Sequence, residues 1–238
     1  MQNTKYQYLD VSDQMKGLPQ PPLELLAETA VPEIELPRPE TITVAALDLR
    51  KAIEERASVR SYSRKLLTIE ELSYLLWCTQ GVKEVVQGTA TFRTVPSAGA
   101  RHCLETYLLI NNVKNIKPGI YQHAALRHRI IEINTDRHIA DKVTASCLGQ
   151  NIIKTSAVTF IWTAVVYRMA WRYGERGYRY MHLDAGHVCQ NLYLCAESIG
   201  CGVCAIAAFE DDEINQLLNL DGKDHFVIYI ATVGKKQG

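Results

Sequence analysis

The stretch from Ala157 to Val166 constrains this chain more than any other: it is continuous, apolar, rich in β-branched residues and bounded by polar ones. A run of that kind is expected of a strand buried in the middle of a sheet. Leu104 to Ile110 reads as another strand, Ile120–Gln122 and Arg129–Ile133 as two strands of a hairpin-like unit, and Phe226 to Val233 as the last strand. Between them lie helices. Leu49, Ala52 and Ile53 mark one face of a helix running to about Arg56. Thr68 with Glu71 three residues on forms a capping box, followed by a buried stripe at Ile69, Leu72, Leu75 and Leu76, with Gly81 as the stop. From Asp184 to Gly200 the chain is apolar on nearly every side, which places that helix either through the core or at a subunit interface. Asp211 is positioned to cap a short helix through Ile214, Leu217 and Leu218. Helices and strands mix without a strict βαβ rhythm, so the expected fold is α+β, with helices packed on a mostly antiparallel sheet.

Ahead of this, residues 1–40 read as an extended, non-helical arm, because Pro19, Pro21, Pro22, Pro32, Pro37 and Pro39 would break a helix or a central strand. Such an arm either trails free or lies along a partner subunit. The remaining residues, 41–238, form the domain.

Lys plus Arg number 26 and so do Asp plus Glu, so no bulk charge draws the chain to nucleic acid or an anionic membrane. No apolar run reaches the roughly 18–20 residues that a membrane span requires. The seven cysteines are an odd number in mostly apolar settings, which reads as buried thiols in a reducing cytoplasm rather than a disulfide framework. Cys201 and Cys204 make a lone CxxC, and His182 and His187 are wrongly spaced for one helical face, so no metal site is expected.

Three constellations are able to carry chemistry. In extended chain, Arg56, Ser58 and Arg60 share one side, and two guanidinium forks flanking a hydroxyl suit a phosphate. A solvated turn after a helix has the same composition. Pro96-Ser97-Ala98-Gly99-Ala100 is a loop of small residues, through which a flat ring or a phosphate approaches the backbone, or which simply turns the chain. The interleaved Arg and Tyr residues of 167–180 suit base stacking, a flavin site, or amphipathic cover over the core.

Taken together, these pieces resemble the nitroreductase-like flavoproteins, and among them the SagB-type dehydrogenases. The resemblance runs from about Ile34 to Lys236 and rests on ERASVRSY at 55–62, IEELSYLLWCTQG at 69–81, VPSAGA at 95–100 and PGIYQ at 118–122. It continues in RYGERGYRY at 172–180, HLDAGHVCQNLYL at 182–194 and AIAAFEDDEINQLL at 205–218. It implies a homodimer whose subunits wrap arms around each other and share two FMN sites. By the same resemblance Arg56, Ser58 and Arg60 hold the flavin phosphate, joined by Lys235 or Lys236 after the last strand. Pro96, Ser97, Ala98 and Gly99 lie beside the ring, and the backbone of Ala207 and Ala208 meets its polar edge.

The activity so implied is ping-pong transfer from NADH or NADPH to a small nitroaromatic or quinone-like acceptor, with the flavin carrying the chemistry. The alternatives are a SagB-type azoline-to-azole dehydrogenase acting on a peptide, and a catalytically idle flavin-fold subunit. Two departures bear on the choice. Arg101-His102-Cys103 stand where the branch usually has Leu-Tyr-Pro, and Arg172-Tyr173 where azoline-oxidising relatives have Lys-Tyr. A guanidinium stays protonated and cannot act as the general base that a lysine can.

Overall fold

The computed structural model describes residues 2–27 and 32–237. In chain order the main elements are β1 (Glu33–Glu35), α1 (Leu49–Glu55), α2 (Ile69–Gln80), β2 (Val82–Val86), β3 (Ala90–Arg93), β4 (Leu104–Ile110), β5 (Gly119–Ala124) and β6 (Arg129–Asn134). Then follow α3 (Ile139–Ser146), α4 (Ile152–Thr155), β7 (Val158–Val165), α5 (Val166–Tyr173), α6 (Gly177–Ser198), β8 (Cys201–Ile206), α7 (Asp211–Leu217) and β9 (His225–Lys235). Seven strands make one sheet in the order β1-β6-β5-β4-β7-β9-β8, while β2 and β3 form a separate hairpin. Every neighbouring pair in the large sheet is antiparallel.

The sheet is covered on both faces, which is why β7 tolerates no polar alternation. Successive side chains of a strand point to opposite faces. On β4, Leu104, Leu108 and Ile110 join Phe160 and Trp162 of β7 beneath Leu72 and Leu76 of α2 and Val188 and Leu192 of α6. Tyr107 and Leu109 face the other way, with Ile161 and Ile230, against Val143, Ile153 and Ile214 of the smaller helices. At the start of α2 the Glu71 amide donates to Thr68 Oγ1 (3.2 Å) and the Thr68 amide to Glu71 Oε2 (3.0 Å), closing the capping box. A cap of this kind is worth about 1 kcal/mol.

Four expectations change. The face of α1 marked by Leu49, Ala52 and Ile53 buries only Ala52; Leu49 and Ile53 point outward, 64% and 56% exposed. Likewise α6 is buried along Met181, Ala185, Val188, Leu192 and Ala196 but leaves Leu183, Gly186, His187 and Gln190 exposed. Its apolar composition overstated its burial within one chain. Helix α7 is preceded by Glu210 as cap residue, and Asp211 instead opens the first turn with Asp212 and Glu213, where negative charge favours the positive end of the helix dipole.

The arm, finally, lies along its own chain. It carries short 3-10 turns at Gln2–Thr4 and Tyr6–Tyr8 and ends in β1, which pairs with β6. Its prolines leave backbone groups free to bond side chains of the body. Trp171 Nε1 donates to Leu18 O (3.0 Å), Arg168 Nε to Pro22 O (2.8 Å), and Gln122 brackets Leu25 O and the Ala27 amide (both 2.8 Å).

Candidate active site

The segment after α1 is extended, and Ser58 forms a parallel bridge with Val203 of β8. It lies flat there because the sheet offers no side chains under it. Gly202 and Gly234 are cross-strand partners, and a Cβ on either would come within 2.6 Å of Val59 or Tyr62 respectively. Tyr62 completes the clamp by donating its hydroxyl to Thr232 O (3.1 Å).

Tyr193 of α6 sets the positions of the polar groups. Its hydroxyl shares a hydrogen bond with Ser58 Oγ (3.0 Å) and accepts from the Ala205 amide (2.9 Å), while Arg56 lies over its ring, 5.3 Å from the centroid. Arg60 is exposed and close enough to Cys204 to oppose the rise that burial gives that thiol. Among the described residues neither Arg56 nor Arg60 has a carboxylate partner.

β8 is an edge strand, and its outer side is used in sequence. Val203 O accepts the Val59 amide (2.9 Å), Ala205 N–H is taken by Tyr193, and by the two-residue period Ala207 comes next on the same edge. Ala207 and Ala208 are both exposed, and Ala208 O accepts from Gln150 Nε2 (3.0 Å). From Val203 to Ala207 is about 13 Å at roughly 3.3 Å per residue.

The loop of small residues hangs from the other end of α6. Asp184, 4% exposed, accepts the Ala98 amide through Oδ1 (3.3 Å), leaving Oδ2 without a partner among the described residues. Burial raises its carboxyl above the ordinary range, against the lowering effect of the neighbouring Ser97 hydroxyl and Ala98 amide. Ser97 Oγ accepts the His102 amide (2.8 Å) and helps hold the loop in its turn. Gly99 has φ 57°, and the space of its missing side chain is taken by the Tyr173 hydroxyl and by Arg172, whose Nε would lie 3.0 Å from a Cβ there. Pro96 is exposed beside it. Arg101 turns inward, donating to Gly99 O (3.1 Å) and Thr89 O (3.2 Å) and stacking on Trp171, while His102 and Cys103 are buried. The residues that depart from the family pattern therefore brace the loop from below.

The structure thus gathers Arg56, Ser58 and Arg60 along β8 with Ala207 beyond them, and separately gathers Pro96 to Gly99 with Arg172 and Tyr173. Asp184 and Tyr193, nine residues or about 14 Å apart on α6, tie the two groups to one helix. The two lysines stand differently. Lys235 pairs with Glu71 and donates to Ile199 O (2.7 Å), and Lys236 pairs with Glu197. Tyr193, Asp184, Gly202 and Gly234 were absent from the sequence-derived site. The available signals for the first two were an acid and a tyrosine set among the apolar residues of the buried face of α6.

This antiparallel sheet with helices on both faces is that of an oxidoreductase. The Nitroreductase family's profile matches residues 53–235, and the chain belongs to that family. It is 35% identical over 204 residues, 86% of this chain and 96% of the other, to a Methanocaldococcus jannaschii protein classed as a nitroreductase. It is 30% identical over 154 residues to the trifolitoxin-processing protein TfxB of Rhizobium leguminosarum bv. trifolii, covering 63% of this chain and 41% of TfxB. A crystal structure classed as a nitroreductase, from Anabaena variabilis, superposes with a TM-score of 0.71 at 28% identity over 87% of this chain and 42% of that one. The chain spans less than half the length of these last two proteins.

Proposed function

We propose that the protein binds FMN and passes a hydride equivalent from NADH or NADPH to a small nitroaromatic or quinone-like acceptor, donor and acceptor visiting one site in turn. One observation carries the reading: two guanidinium groups without carboxylate partners among the described residues flank a hydroxyl on the edge of β8, and exposed Ala207 continues that edge about 13 Å on. A phosphate at Arg56, Ser58 and Arg60 leaves the polar edge of a flavin ring directed toward Ala207 and Ala208. Bound flavin supplies the two-electron chemistry. Tyr193 holds the phosphate segment, and Asp184 holds the small loop against which the ring rests. Lys235 or Lys236 joins the phosphate by exchanging its carboxylate for it.

The same reading includes a homodimer. Leu183 is 58% exposed on α6, and Leu49 and Ile53 are exposed on α1, which packs against it, so together they offer an apolar surface for a second copy. Residues 1–40 are an N-terminal arm and 41–238 the flavin-binding domain. The seven free thiols suit a reducing cytoplasm.

The deciding experiment is mass spectrometry of cofactor released on denaturation, followed by stopped-flow reduction of the loaded protein with each nicotinamide. FMN and rapid bleaching by at least one nicotinamide are expected. FAD, or no flavin after reconstitution, would overturn the cofactor assignment, and bound flavin that neither nicotinamide reduces would leave an idle subunit. Sedimentation is expected to give a dimer, and a folded, flavin-loaded monomer would remove the shared site.

A second reading has the similarity to TfxB in its favour: azoline-to-azole dehydrogenation on a peptide. It requires a base that takes a ring proton as hydride leaves, and Arg172 cannot be that base. We therefore place small-acceptor reduction first.

A further inference from the structure

Two thiols away from this site face each other between α2 and α6. The helices are pinned there by two hydrogen bonds: Tyr74 hydroxyl with Ser198 Oγ (3.1 Å) and Asn191 Nδ2 to Cys78 O (2.9 Å). Cys195 lies between Asn191 and Ser198 on α6, one helical turn from the first, so the pins set it opposite Cys78. Both cysteines line a groove of about 550 Å³ with Tyr74, Asn191 and Ser198.

The thiols are unequal. Cys195 is buried and Cys78 is partly open. Hydrogen bonds from Cys195 and Tyr74 hold the Cys78 thiol below its ordinary range despite its burial. Burial pushes Cys195 well above that range, and it raises the other five cysteines too. An accessible thiolate-prone cysteine beside a resolving thiol is the arrangement that oxidises reversibly.

We propose that Cys78 and Cys195 are a peroxide-oxidisable pair, in which Cys78 takes the oxygen and Cys195 resolves it to a disulfide bridging α2 and α6. In the first step the Cys78 thiolate attacks hydrogen peroxide, forming an S–O bond and breaking the O–O bond, to give the sulfenic acid and hydroxide. In the second the Cys195 sulfur displaces that oxygen as water while losing its proton. Two sulfurs give up two electrons, and the peroxide takes both. Hydrogen peroxide is small enough to enter this groove. The bridge would cross-link α2, whose Glu71 holds Lys235, to the helix that carries Tyr193 and Asp184.

The test uses full-length protein as purified, reduced, desalted without oxygen, treated with a few equivalents of hydrogen peroxide, then denatured and alkylated. Non-reducing peptide mapping should show Cys78 linked to Cys195 with the loss of two hydrogens, reversed by dithiothreitol. In Cys195→Ala, dimedone should label Cys78, and in Cys78→Ala it should leave Cys195 unlabelled. The wild-type map needs no variant to fold. A Cys201–Cys204 linkage in its place, or a Cys78 that alkylates as fully after peroxide as before, would overturn the proposal. Neither readout depends on flavin or on turnover, so its failure is distinct from failure of the functional reading.

Discussion

Arg93 and Arg168 lie on one side of the molecule in settings opposite to those of Arg56 and Arg60. Arg168 is 2% exposed and pairs with Glu105, donating also to His102 O (3.2 Å) and Pro22 O (2.8 Å). Arg93, 4% exposed, donates to Gln80 Oε1 (3.1 Å) and Thr91 Oγ1 (3.2 Å). These charges are fully engaged within the chain, and what they hold is the arm: Leu23 O accepts from Arg93, and the Leu25 amide donates to Glu105 (2.6 Å). The guanidinium groups of Arg56, over the Tyr193 ring, and Arg60, beside Cys204, by contrast meet neither a carboxylate nor a hydrogen-bond acceptor among the described residues. A fixed cation without an anion is a place for an anion to bind. The difference separates arginines that build the fold from arginines that wait for a ligand.

The largest effect belongs to the buried group. Glu105→Ala leaves Arg168 charged and unpaired in the interior, which costs about 3–5 kcal/mol of folding stability. Urea unfolding should show that loss, while the protein that remains folded keeps its flavin affinity. A loss below about 1 kcal/mol would mean the pair is solvated in solution and the comparison overdrawn. Arg56→Ala should do the reverse. Flavin binding should weaken by about 2–4 kcal/mol, because the phosphate loses a charged partner. Urea unfolding of the flavin-free protein should move by less than about 0.5 kcal/mol, as for an ordinary surface change. Equilibrium dialysis that found unchanged FMN affinity would remove Arg56 from the site.

His102 carries the comparison into pH. It sits 6% exposed among the buried cations, and burial, then Arg93, pushes its pKa down to about 3. The folded state keeps it neutral, whereas the unfolded chain protonates near the ordinary value of about 6.5. Its contribution is therefore fully present above pH 6.5 and declines as pH falls toward 3, at about 1.4 kcal/mol per unit once the unfolded chain is charged. His123, His128 and His225 are likewise held neutral by burial and add to the trend, while Asp184, raised by burial, opposes it. Asparagine tolerates the φ of 43° at position 102, so His102→Asn should flatten the acid limb of stability against pH. An unchanged slope would place the proton uptake elsewhere.

How much of this was legible beforehand follows the range of the interactions. Strand β4 and the capping box of α2 were read in place because their causes lie within a few residues: a continuous apolar run and a Thr-x-x-Glu spacing. The extended Arg-Ser-Arg segment was read from period two and a β-branched neighbour. The arm's course was not, since its anchors, Glu105 and Gln122, stand 80 and 95 residues from the amides they bind. The lysines were placed by family position, and the carboxylates that hold them are 164 and 39 residues away. The outward faces of α1 and α6 misled in a different way, because apolar composition reports burial against any surface, including that of a second copy.

Arg172 is neither buried nor matched, and it should give the smallest effect. It is exposed, stacks over the Tyr173 ring at 5.7 Å and fills the space above Gly99 with its Nε and Cδ. If the protein reduces small acceptors, this side chain shapes the pocket and contributes a positive charge, both of which lysine retains. Arg172→Lys should then change nitroaromatic or quinone turnover by less than about 1 kcal/mol, or about fivefold, the scale of an exposed charge contact. The same variant separates the two enzymatic readings when offered an azoline peptide. There a proton must leave the ring carbon, the guanidinium cannot accept it, and general-base assistance is typically worth about 10²–10⁴-fold. Wild type should be poor at that reaction and the lysine variant visibly better. Efficient azoline oxidation by the wild type, lost in Arg172→Ala, would reverse the order of the two readings and move Arg172 from the pocket wall into the reaction itself.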